Sequence, residues 1–211
     1  GVQLTWMDAK VGDWVVTPRQ GYPVEITALW YNALCCAAHM GSQWDEAFSA
    51  RCLEWAEETA THFRHAFWLA DRGYLADVIG RDGTVDSGLR PNQLLALSLP
   101  YSLCSGKMAR AIVNAVLQDL YTPVGLRSLS PRDPAFAATY GGDQMSRDGA
   151  YHQGTVWAWL MGPFVSAYRR AFGRTSATEQ AARRMIGPLL DQLSEAGLGH
   201  ISEIYDAQSP Y

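Results

Sequence analysis

Long apolar runs free of charge are missing from this chain of 211 residues, so no membrane-spanning helix is expected. The N-terminus lacks a basic stretch followed by a hydrophobic core, which argues against a signal peptide. Basic residues are dispersed and the net charge is −4, so the clustered basic face that nucleic acid requires is absent. Cysteine is scarce and unpatterned. Cys35, Cys36, Cys52 and Cys104 show no CxxC spacing, and vicinal Cys35 and Cys36 cannot be bridged without severe strain. All four fall in apolar helical stretches, so buried, reduced thiols in a cytoplasmic protein are expected. A P-loop, a dinucleotide fingerprint and a Ser or Cys nucleophile elbow are missing as well. Glu58, His62 and His65 have metal-like spacing on one helix, but nothing there supplies a fourth ligand. No metal and no cofactor is expected.

What remains is 48% apolar and 18% charged, the composition of one ordered globular domain with ample length for a core. The chain starts at Gly1 and stops at Ser209-Pro210-Tyr211 in a loop, which suggests a piece of a longer protein.

Six helical stretches alternate in character. Residues 23–41, 92–99 and 154–172 are apolar nearly all round and are expected to be buried on every side. Residues 45–68, 106–121 and 175–196 are amphipathic. In the first of these, Phe48, Cys52, Trp55, Thr59, Phe63 and Phe67 form one stripe; in the last, Met185, Ile186, Leu189, Leu190 and Leu193 do. Ser176 and Glu179 read as a capping box. Gly41, Gly173 and Gly197 stand where helix C-terminal glycines belong, and Pro163 and Pro188 would kink their helices.

Links from an apolar helix to the next amphipathic one are short, as in antiparallel hairpins. Links in the other direction are long: 69–91 and 122–153, and by extension 1–22 and 197–211. All four long segments must therefore lie at one end of the array. Three hairpins with inner and outer layers make an all-α fold, about half of a six-hairpin (α/α)6 toroid. Half a toroid leaves inner apolar surface uncovered, so self-association is expected.

Candidate chemistry sits in those long loops. A pair of carboxylates across a pocket is the minimum equipment for hydrolysing a glycosidic bond, and Asp8 and Glu203 occupy the first and last loops. Trp6, Asp8, Asp13 and Trp14 crowd ten residues; they suit either a sugar platform or a capped, core-completing loop. Arg90 and Asn92 precede the second inner helix, where Asn92 is either an N-cap or a pocket ligand. Tyr151-His152-Gln153-Gly154 opens the third and is more plausible lining a cavity than as a solvated turn. Ile201, Ile204 and Tyr205 flank Glu203 with apolar surface that would desolvate a carboxylate; a plain surface acid is the other reading.

Several motifs together resemble the amylo-α-1,6-glucosidase unit, the C-terminal domain of glycogen debranching enzymes. They are Thr5-Trp6-Met7-Asp8, Pro23-Val24-Glu25-Ile26 running into Leu29-Trp30-Tyr31-Asn32-Ala33-Leu34, Leu89-Arg90-Pro91-Asn92-Gln93, Gly125-Leu126-Arg127-Ser128-Leu129, His152-Gln153-Gly154-Thr155-Val156-Trp157 and Ile201-Ser202-Glu203-Ile204. The match spans nearly all of residues 1–211. It departs at Ala158, where the family often has Pro, and at Ala207, where it usually has Gly.

The resemblance implies an (α/α)6 barrel, similar to glucoamylases, acting on glycogen or a branched α-glucan. It implies inverting removal of single α-1,6-linked glucose, with Asp8 as general acid and Glu203 as general base. Trp6, Trp30, Arg90, Asn92, His152, Gln153 and Trp157 are then candidates for the glucose subsite. Inversion calls for carboxyls about 6.5–9.5 Å apart. Burial against Trp6 or the charge of Glu203 is expected to keep the proton on Asp8. Rival readings are another toroid glycosidase, glucoamylase-like or trehalase-like, and a non-catalytic glycan-binding helical module.

Overall fold

The computed structural model describes residues 2, 4–195 and 198–211, so Gly197 lies outside the described residues. Seven helices account for about half of the described chain: α1 Val24–Gly41, α2 Glu46–Phe67, α3 Leu95–Ser98, α4 Gly106–Asp119, α5 Gln144–Ala150, α6 Met161–Phe172 and α7 Ser176–Glu195. A 3₁₀ turn over Pro91–Leu94 leads into α3, and another over Ala158–Leu160 leads into α6. α3 packs against both α1 and α6, while α2 packs on α1, and α4 and α7 on α6. The expected alternation of inner (α1, α3, α6) and outer (α2, α4, α7) helices is therefore present. Phe63, Leu94, Leu97, Ile112, Leu126, Leu160 and Phe164 fill the core between the layers. No described helix is long and apolar enough to cross a membrane.

Local chemistry sets the helix ends. The Asp45 carboxylate accepts the Phe48 amide at 2.8 Å and starts α2, and Asp143 does the same for α5 through Ser146 at 2.8 Å. The cap of α7 is one residue earlier than expected: Thr175 Oγ1 accepts the Thr178 amide at 3.2 Å, and Glu179 instead pairs with Arg169 across the hairpin. Gly173 ends α6 at a φ of 85°, open to glycine without strain. Gly41 is the last residue of α1 rather than a left-handed cap. Pro163 falls in the first turn of α6, where its missing N–H costs no helical bond; Pro188 is interior to α7.

Three expectations need correction. The buried stripe of α2 is Ser49, Cys52, Ala56, Ala60, Phe63 and Phe67, while Phe48 and Trp55 are exposed. Small residues let α1 approach closely, so the seam follows Ser and Ala rather than the bulkier rings. α1 is not covered on every side either: Ile26, Leu29, Trp30 and Met40 face outward, because none of the described elements packs there. Finally, residues 156 and 157 of the third inner stretch form a strand, since β-branched Val156 and aromatic Trp157 pair on both edges. Cysteine burial is also incomplete. Cys36 is exposed, and Cys104 sits buried in the turn before α4, where burial pushes its thiol up to about 12.

Short antiparallel strands tie the loops together. Ile204–Tyr205 pairs with Val156–Trp157, which pairs with Gly125–Arg127, which pairs with Tyr121–Thr122. Tyr22–Pro23, Val78–Ile79 and Val85–Asp86 form a second sheet. These ladders join segments from all four long loops.

Candidate active site

Register brings the last loop to the mouth of α6. Trp157 stands opposite Ile204, and the Ala158 amide reaches the Glu203 carbonyl at 3.4 Å. Gly125 permits this pairing. Its φ is +156°, and a Cβ there would lie 2.6 Å from the Trp157 carbonyl oxygen. The first loop arrives from the other direction. The Trp6 ring meets His152, Trp157 and Trp159 edge-on at centroid distances of 5.3, 5.2 and 5.1 Å. Its indole N–H donates to Asn92 Oδ1 at 2.8 Å. Trp6, Asn92, His152 and Trp157 are thus one cluster.

Arg90 and Gln153 belong to it. The buried Arg90 guanidinium donates to the carbonyls of Ser128 at 3.0 Å and His152 at 2.6 Å, and to Gln153 Oε1 at 2.6 Å. His152 is fully buried, its ring stacked on Trp157 at 5.2 Å and 9°. Among the described residues neither of its ring nitrogens has a hydrogen-bond partner. Burial first, then the charges of Arg90 and Arg19, pushes its pKa down to about 3, so the imidazole is neutral at ordinary pH. Trp30 is elsewhere, 53% exposed, in a groove of about 490 Å³ with Tyr22, Glu58 and His62 between α1 and α2.

Beneath the cluster lies an ion network to which sequence reading assigned no role. Arg19 grips Glu25 with two N–H groups, one at 2.6 Å, and Asp77 at 2.6 and 3.0 Å. Asp77 also accepts Asn92 Nδ2 at 2.8 Å and lies 3.7 Å from Arg90 Nε. All five side chains are buried. Burial opposes the charge on Arg19, but its two carboxylate partners outweigh that and raise its pKa. The one sequence signal was Asp77 itself, a lone charge in Leu75-Ala76-Asp77-Val78-Ile79.

Asp8 and Glu203 stand on the open side. Both are exposed, so the desolvation expected from Trp6 around Asp8, and from Ile201, Ile204 and Tyr205 around Glu203, is not realised among the described residues. Tyr151 lies against Glu203. Its hydroxyl donates to Glu203 Oε2 at 3.1 Å. Burial, then Glu203, Tyr140 and Asp8, pushes the phenol up to about 12. Beside Glu203 a groove of about 430 Å³ is lined by Trp157, Ala158, Trp159, Leu189, Ile201, Ser202 and Glu203. It offers exposed indole, apolar flanks and a carboxylate, the mixture a sugar ring binds. Three or more His, Cys, Asp or Glu placed to hold a metal ion do not occur among the described residues.

A layered array of helical hairpins with such a mouth belongs to the helical class seen in trehalases. Neutral trehalase Nth1 from Saccharomyces cerevisiae superposes with a TM-score of 0.68 at 18% identity, over 90% of this chain and 34% of that one. A solved sialidase superposes with a TM-score of 0.73 at 15% identity, over 92% and 18%. At such identities the likeness is one of fold. The family is shown by the sequence: the model for amylo-alpha-1,6-glucosidase matches residues 1–211, and the chain belongs to that family of glycoside hydrolases. Glycogen debranching enzyme of Saccharomyces cerevisiae is 26% identical over 246 residues, which cover 96% of this chain and 16% of that enzyme.

Proposed function

We propose that this chain carries both catalytic carboxylates of an enzyme that removes single α-1,6-linked glucose units from the branch points of glycogen or a related α-glucan, with inversion. In this reading the three hairpins form half of an (α/α)6 barrel in a cytoplasmic protein of glycogen breakdown. Asp8, protonated, gives its proton to the glycosidic oxygen as the bond to the anomeric carbon breaks. Glu203 takes a proton from water, whose oxygen bonds to that carbon from the opposite face. Trp6, Trp157 and Trp159 supply ring surface for the sugar, and Arg90, Asn92, His152 and Gln153 hold those rings in place.

The observation that carries this reading is the seating of Glu203 in a sugar-sized groove edged by Trp157 and Trp159, on which Trp6, two residues from Asp8, closes from the first loop. Asp8→Asn and Glu203→Gln, each made in the complete enzyme, are expected to lower glucose release by about 10²–10⁴-fold. Undiminished release by either variant refutes its assignment. The fold likeness to trehalase supports a second reading, an enzyme acting on another α-glucoside. Preference for trehalose over a branched oligosaccharide would select it.

A further inference from the structure

Tyr151 is fixed at more than one point. It caps the C-terminal end of α5. Its carbonyl accepts the Trp157 indole N–H at 3.0 Å, and its ring packs against Tyr140, His152 and Trp157 at centroid distances of 5.5, 4.8 and 4.7 Å. Glu203 has no such enclosure. Its side chain is exposed, and an exposed glutamate samples several rotamers at little cost. A base that must aim one oxygen at a water cannot be left to rotate. The phenol takes Oε2, and among the described residues no donor bonds Oε1.

We propose that Tyr151 is a positioning residue: it anchors Glu203 through Oε2 and directs Oε1 to the attacking water. This rests on Glu203 being the base. The titratable groups facing the phenol are Glu203, Tyr140 and Asp8, with neutral His152 beside it. Because burial and the two carboxylates push the phenol up to about 12, it remains a donor across the working pH range.

The test is Tyr151→Phe in the complete enzyme, assayed for kcat and KM. The ring and its packing persist, so only the hydrogen bond is removed. The expected result is a kcat lower by about tenfold to a hundredfold with KM changed by less than about twofold. Placing 3,5-difluorotyrosine at 151 keeps the hydroxyl as a donor, so kcat stays within about threefold of the parent, which keeps the test open if Tyr151→Phe does not fold. An unchanged kcat in Tyr151→Phe, a change in KM alone, or a difluorotyrosine variant that loses as much kcat as Tyr151→Phe overturns the proposal. Glu203→Gln separates the two claims. If it stays active, the assignment of the base fails; if it is inactive while Tyr151→Phe keeps the parent kcat, only the role of Tyr151 fails.

Discussion

Arg19, Glu25 and Asp77 are buried and bonded to one another and to Asn92, whereas Asp8 and Glu203 are exposed, and Glu203 rests on one phenol. Both sets are charged, and the fold treats them in opposite ways. In the buried set the hydrogen-bonding capacity goes into joining loops: Arg19 and Glu25 from the first segment and helix, Asp77 from the second long loop, Asn92 from the entry to α3. In the exposed set, oxygens stay open to solvent and to a ligand. Charges that hold shape are saturated; of the two proposed to react, Glu203 is supported by a single hydroxyl.

Breaking the buried set has the largest expected consequence. Asp77→Ala leaves the Arg19 guanidinium with half its carboxylate partners and strips Asn92 and Arg90 of a neighbour. Removal of one member of a buried ion pair costs about 3–5 kcal/mol. Urea denaturation should show a loss of that size, and a loss below about 1 kcal/mol would mean that the network is incidental to stability.

A smaller effect concerns His152, the one titratable group of the cluster that is buried without a charge. Its folded-state pKa of about 3 lies below the ordinary 6.5, so the unfolded chain binds the proton first. The contribution to stability is complete above pH 6.5 and declines as pH falls towards 3, by about 1.4 kcal/mol per pH unit. Thermal unfolding between pH 7 and pH 4 should reveal this slope, and His152→Phe should flatten it. An equal slope in the variant would assign the acid sensitivity elsewhere.

The mildest change belongs on the exposed side. Trp159 is 45% exposed, meets Trp6 edge-on and lines the groove beside Glu203. Trp159→Ala is expected to weaken substrate by about 1 kcal/mol, a rise in KM of about fivefold, with little change in stability. A collapse in stability instead would place Trp159 among the structural residues.

How much of this was legible in the sequence follows from the range of each signal. Helical hairpins are written locally, in periodicity and in the alternation of short and long links, and α1, α2, α4, α6 and α7 emerge near their expected positions. Strands of two residues carry no alternation to detect, so the ladder that seats Glu203 opposite Ala158 was invisible. Arg19 and Asp77 are separated by 58 positions with no local pattern joining them. An apolar helix gives no sign of which side faces a site, which is why Trp30 was grouped with Trp6 and lies instead beside Glu58 and His62. Trp6 stands out in a loop crowded with Trp and Asp, and Arg90, Asn92, His152, Gln153 and Trp157 stand at the mouths of apolar helices; the fold gathers these six into one cluster.

The anomeric form of the first glucose released tests the paired-carboxylate mechanism most directly. Proton NMR of the complete enzyme acting on an α-1,6-branched oligosaccharide, read before mutarotation, should show β-glucose appearing first. Initial release of α-glucose would mean that the two acids do not work across an intervening water, and would contradict the roles given to Asp8 and Glu203.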